Sequence, residues 1–199
     1  MQDSKPKRLV VWVVGALLMS SPLMAQQLTL TPDVPSLLGG TRFLANQTVL
    51  YSGGAYTLSF DGSTAGMGPN ISIDAITELP NGDLLFSTDT PFLDPGGTWF
   101  QPADVVLYSG GLYSLYFAGG SIPGLTALAN IDALALDSSG NLVVSFDAPV
   151  TVAAVTFDPH DLVQIVGTAL TMYFDGSMNG LPVQANISGA ASKSNFLRI

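Results

Sequence analysis

The chain has no cysteine, a single histidine, and only six lysine and arginine residues in 199. Without cysteine there is no disulfide, no thiol nucleophile, no zinc–thiolate centre and no lipid-modified cysteine anchor. The lone histidine, His160, lies in the turn-forming run Asp158-Pro159-His160-Asp161. No G-x-S-x-G elbow accompanies it, so a Ser–His–Asp relay has no scaffold. P-loop and dinucleotide fingerprints are missing as well, because the glycines punctuate hairpins and open no helix. Positive charge is scarce: fifteen acidic residues outweigh six basic ones, for a net charge of −9. Such a surface repels polyphosphate, which excludes nucleic acid as a partner, and it offers no polybasic patch to anionic lipid. Helical periodicity is absent after the first 25 or so residues.

Those first residues carry a basic start (Lys5, Lys7, Arg8), a short apolar run from Leu9 to Met19, and a small residue, Ala25, after Leu23-Met24. That pattern predicts a secretory signal peptide over residues 1–25 and a secreted, periplasmic or cell-surface protein. Cleavage there removes Asp3, Lys5, Lys7 and Arg8, making the mature chain still more acidic. The sequons at Asn46, Asn70 and Asn186 matter only in a eukaryotic route. They are read as chance in a chain of bacterial style.

What the sequence does contain is a repeat. TVLYSGGAYTLSFDGS (48–63), DVVLYSGGLYSLYFAGGS (104–121) and DLVQIVGTALTMYFDGS (161–177) are versions of one segment, with Phe60, Phe117 and Phe174 spaced by 57 residues. Phe43, Phe100 and Phe157 share that spacing. Each copy reads as four short strands. The first, Thr48–Tyr51 or Val105–Tyr108, ends in Ser-Gly-Gly, as a tight hairpin requires. The second, Ala55–Phe60 or Leu112–Phe117, alternates with Tyr56, Leu58 and Phe60 on one face, the signature of a half-buried strand. The third is Ile73–Leu79 or Ile131–Leu136, and the fourth Asp83–Ser87 or Asn141–Ser145. In the shortened last copy, Asn186–Ala191 and Asn195–Ile199 stand for the third and fourth. Residues 26–42 read as an N-terminal arm or a lone strand, and 43–199 as a three-repeat domain, divided near 43–99, 100–156 and 157–199. The expected fold is all-β, with repeats of four antiparallel strands in a β-propeller-like arrangement, a β-prism being the alternative.

IDALALDSSGNLVVSFD (131–147) resembles the inner hairpin of NHL and SMP-30/gluconolactonase-type propeller blades. MYFDGSMNGL (172–181) is similar to a repeat of uncharacterised exported bacterial proteins, LYFDGS…IDAL…G-x-L-x-x-S. The resemblance implies that a blade begins at the Ile-Asp-Ala strand. The chain would then start with the outer strands of one blade and end with the inner strands of another. Bare edges invite pairing. The expectation is a homo-oligomer, two chains exchanging these ends into a six-bladed ring, with a strained or open three-unit monomer, or a fragment of a longer repeat protein, as the alternative.

Candidate chemistry rests on few residues. Asp74 and Asp132 hold equivalent places on the strand that would line a channel, with Ser188 in the third copy. A ring of carboxylates is a candidate Ca²⁺ site, and the resemblance implies a metal-dependent lactonase or hydrolase as one alternative. The structural reading is that each Asp accepts bonds from nearby backbone N–H groups. Asp61 and Asp175 open Asp-Gly-Ser turns, where copy two has Ala118. They are weaker metal candidates, since Asp-Gly-Ser is ordinary turn chemistry. Trp99, Tyr108 and Tyr116 are the candidates for stacking on a sugar. Arg42 and Thr156 replace Trp99 in the other copies, so the scaffold does not require an indole there. The reading adopted is an exported, non-catalytic binding or scaffolding module needing no cofactor, its partner a glycan or surface protein. A carbohydrate-binding lectin is the other alternative.

Overall fold

The computed structural model describes residues 27–190. The proposed signal peptide and Asn195–Ile199 lie outside the described residues. The described chain is built from strands: β1 (Gln27–Leu30), β2 (Ser36–Leu38), β3 (Thr41–Phe43), β4 (Gln47–Ser52), β5 (Ala55–Asp61), β6 (Ile73–Glu78), β7 (Leu84–Thr88), β8 (Phe92–Leu93), β9 (Trp99–Phe100), β10 (Val105–Ser109), β11 (Leu112–Phe117), β12 (Ile131–Leu136), β13 (Leu142–Phe146), β14 (Val150–Val152), β15 (Val155–Phe157), β16 (Leu162–Val166) and β17 (Ala169–Phe174). A single 3₁₀ turn, Gly119–Ser121, interrupts them.

Two complete sheets have the antiparallel orders β6-β7-β10-β11 and β12-β13-β16-β17. Each starts at the Ile-Asp-Ala strand, and between its second and third strands stands a small side hairpin, β8-β9 or β14-β15. The fold is thus all-β, in tandem four-stranded meanders of propeller type. The tight turns form where Ser-Gly-Gly predicts them. Gly53 and Gly54 have φ of 58° and 88°, and Gly110 and Gly111 have the same pair of values. Positive φ at both central residues matches the twist of the flanking strands, and glycine adopts it without a Cβ clash. The side hairpin β14-β15 does the same with Ala153 and Ala154, at φ of 50° and 66°.

The first sheet differs from expectation. It has three strands, in the order β1-β4-β5. The supposed arm supplies β1, which pairs antiparallel with β4 from Gln27↔Ser52 to Leu30↔Val49. The side hairpin β2-β3 follows it, as β8-β9 follows β7. The arm is therefore a degenerate copy of the second strand of a sheet. Its short QLTL run lacks the flanking Asp-x-x-Gly-Asn-Leu signal that marks β13. In the last copy, residues 186–190 form no strand.

Two cores join the three sheets. Between the first and second, Phe60, Met67, Phe86, Phe92 and Phe100 pack together, with Tyr108 and Tyr113 at the margin. Between the second and third, Leu85, Val105, Ile122, Val144, Phe157 and Val163 do so. Phe86, Phe100, Val105 and Val144 are at most 1 % exposed, and burying such side chains contributes about 1.5–3 kcal/mol each. Phe60, Phe117 and Phe174 keep one phase at the ends of the outermost strands. Midway along those strands Leu58, Leu115 and Met172 are 49 %, 49 % and 40 % exposed, because an outermost strand has packed neighbours on one flank only.

Candidate functional site

The inner strands β6 and β12 lie side by side, and β1 approaches β6. Between them is a cavity of about 470 Å³, lined by Gln27–Thr31 of β1 and its following residue, by Asp74–Glu78, by Ala133 and Leu134, and by Ser188–Ala190. Asp74 is thus among the lining residues. Asp132 is only 7 % exposed and is not part of that lining.

Both carboxylates are bonded, and their partners are side chains from the next repeat. Asn130 Nδ2 donates to Asp74 Oδ2, and Asn186 Nδ2 donates to Asp132 Oδ2. Asn130 also reaches Asp147 Oδ2 at 3.4 Å. Backbone and hydroxyl bonds repeat alongside. Ile73, Ile131 and Ile187 donate their N–H groups to the carbonyls of Ala45, Pro102 and Pro159. Ser87 Oγ donates to the Ile131 carbonyl at 2.8 Å, and Ser145 Oγ to the Ile187 carbonyl. Each sheet thus grips the first residues of the following inner strand. Burial pushes the Asp74 carboxyl up to about 6; the Asn130 bond opposes this, while Asp132, Asp89 and Asp33 add to it. Asp132 is raised for the same first reason, against the Asn186 bond.

The other acidic candidates lie elsewhere. Asp61 Oδ1 accepts from the Ser63 N–H at 3.0 Å, and Asp175 Oδ1 from Ser177 Oγ at 2.7 Å and the Met178 N–H at 3.0 Å. These are turn braces, and the Ser177 bond is the main reason the Asp175 carboxyl sits low. The glycine that follows has a different task from the one its turn suggests. Gly62, Gly119 and Gly176 are not left-handed. A Cβ on any of them would run into the backbone of Asn46, Ala103 or His160.

Asp158, His160 and Asp161 place their ligating atoms within 4.8 Å of one another. Both Asp161 oxygens are already engaged, Oδ2 by the Asp158 N–H at 2.9 Å and Oδ1 by the Gly176 N–H at 2.9 Å. Asp104 makes the same pair of bonds, to Gln101 and Gly119, in a copy where Ala103 stands in place of His160. The acidic residue is therefore a brace of the repeat, with or without the imidazole.

The aromatic candidates separate. Trp99 is 60 % exposed on β9, opposite Leu93. Tyr116 is 43 % exposed on β11. Tyr108 packs inward, 4.8 Å from the Phe60 ring and 4.9 Å from Tyr113. Among the described residues no ring pair joins Trp99 to either tyrosine. The residues that sequence reasoning missed are Asn130 and Asn186. Their signal is present in Asn130-Ile131-Asp132 and Asn186-Ile187-Ser188, but the second coincides with a sequon.

No family model matches the chain. About half of it is similar to the sialidase of Vibrio cholerae, 32 % identical over 108 residues that make up 50 % of this chain and 12 % of the sialidase. The chain therefore spans about an eighth of the curated relatives it matches. Among solved structures, virginiamycin B lyase from Staphylococcus aureus aligns over 76 % of this chain and 60 % of its own, with 11 % identity and a TM-score of 0.34. The extracellular domain of a putative one-component system from B. thetaiotaomicron aligns over 73 % and 22 %, with 17 % identity and a TM-score of 0.33. Among the described residues no helix is long and apolar enough to cross a membrane.

Proposed function

We propose that the chain is an exported, non-catalytic binding or scaffolding module. The observation that carries this reading is the pairing of Asp74 with Asn130 and of Asp132 with Asn186. The carboxylates best placed for chemistry are employed in fastening one sheet to the next. A metal-dependent hydrolase built on them would compete with those bonds. The signal-like sequence pattern over residues 1–25 supports export, and the acidic composition supports solubility. Added Ca²⁺ or EDTA tests the reading. Unchanged melting temperature and no turnover of lactone substrates agree with it, whereas a Ca²⁺-dependent rise of several degrees restores the metal-dependent alternative.

A carbohydrate-binding role is the second reading. Trp99 supports it, being a large aromatic residue that packing does not hold and that the other copies lack. Exposed indoles bury much area at low entropic cost. The partial similarity to a sialidase directs the choice of probe to sialylated glycans. Retention on a glycan array that Trp99→Ala abolishes establishes this role; no retention of any glycan removes it.

A further inference from the structure

The open edge of β1 is a place for a strand. In the complete sheets the equivalent strands β7 and β13 are flanked on both sides, by β6 and β10 or by β12 and β16. Among the described residues β1 is paired only with β4. Its other edge faces the central cavity, and the chain's own Ser188–Ala190 line that same cavity. Leu28 shows the consequence: it is 45 % exposed, where Leu84 and Leu142, its counterparts in register, are 8 % and 6 % exposed.

The segment that reaches this edge is an inner strand in all but pairing. Ile187 makes the backbone bond of Ile73 and Ile131, and its carbonyl accepts from Ser145 as that of Ile131 does from Ser87. Asn186 fastens to Asp132 as Asn130 does to Asp74. Residues 188–190 therefore stand where Asp74–Ile76 and Asp132–Leu134 begin their strands.

We propose that the chain's own Gly189 and Ala190 pair with the free edge of β1 in antiparallel sense, giving the first sheet a fourth strand and closing the array on itself. The register follows from the two finished sheets. Ile76 lies opposite Phe86 and Leu134 opposite Val144, and Ala75 and Ala133 lie opposite Ser87 and Ser145. The same pairing sets Ala190 opposite Leu30 and Gly189 opposite Thr31. Thr31 supplies a hydroxyl where Ser87 and Ser145 stand. Gly189 and Ala190 are small enough to lie on the crowded inner side, and the main-chain bonds supply the affinity. A second chain providing this strand is the rival occupant; the chain's own Ser188–Ala190, lining the same cavity as β1, favour its own segment.

The absence of native cysteine gives a clean test. Leu30→Cys and Ala190→Cys are introduced together in the mature chain, which is oxidised at low micromolar concentration. The expected result is a monomeric, internally cross-linked product in most molecules, melting several degrees above its reduced form. A control with Leu30→Cys and Gly189→Cys, one residue out of register and so on opposite faces, cross-links at least about fivefold more slowly. Dimers linked between chains overturn the proposal in favour of strand exchange. Absence of any cross-link overturns it too, provided each single-cysteine variant melts like the wild type.

Discussion

Asn130 donates its side-chain N–H to the carboxylate of Asp74, 56 residues earlier and on the neighbouring sheet. Asn186 does the same for Asp132 across 54 residues. Two bonds of one kind at nearly one spacing mark a repeated fastening. They explain why a carboxylate is kept on the inner strand of each complete sheet.

Asn130→Ala removes the donor and leaves Asp74 half-buried without it. The expected loss is about 1–3 kcal/mol, since an unsatisfied buried acceptor costs its desolvation. Asp74→Ala in the same background should cost much less than it does alone. A double-mutant cycle by urea denaturation should return a coupling of about 1 kcal/mol or more. Independent, additive losses would mean that the contact carries no stability.

The Asp74 carboxyl has a folded value near 6 against 3.8 in the unfolded chain. Between these values the folded state binds the proton more tightly, so folding is favoured by acid. The contribution is complete below about pH 4 and disappears as pH rises through 6. Melting temperature should therefore increase on going from pH 7.5 to pH 5. Asp74→Asn keeps an acceptor for Asn130 and removes the buried charge. It should melt higher at pH 7.5 and flatten the dependence between pH 5 and 7. A variant as pH-dependent as wild type places the titration elsewhere.

Gly119→Ala should destabilise by about 2–4 kcal/mol, because the new Cβ meets the backbone carbonyl and the Cβ of Ala103, which have nowhere to move. Gly120→Ala, one residue on, has open space and should fall within about 0.5 kcal/mol of wild type. Equal effects on thermal unfolding would show that both glycines serve only the turn.

Ala154→Gly should stabilise the protein by about 1 kcal/mol. Left-handed backbone costs an alanine roughly 1–2 kcal/mol, and glycine escapes that cost less its greater unfolded-state entropy. The φ of 66° at Ala154 compares with 85° at Gly40, in the matching turn of β2-β3. A lower melting temperature would indicate that the Ala154 methyl group is worth more in packing than it costs in strain.

Much of this protein was written locally. The 57-residue spacing of Phe60, Phe117 and Phe174, the alternation of Tyr56, Leu58 and Phe60, and the Ser-Gly-Gly turns sufficed for antiparallel four-stranded units. Strand period and turn geometry depend on neighbours a few residues apart. Ile131–Leu136 was legible to the residue. The role of β1 was not, because QLTL is too short to show a period and is identified only by what it pairs with. Nor was the fate of Asp74. An aspartate on an inner strand looks alike whether it awaits a cation or an asparagine, and only folding brings Asn130 to it. Gly119 and Gly176 likewise looked like turn glycines until Ala103 and His160 were seen against them. Local pattern decided which segments are strands, and contact between distant copies decided what those strands hold, because burial and partner choice are properties of assembled sheets and not of any one stretch of chain.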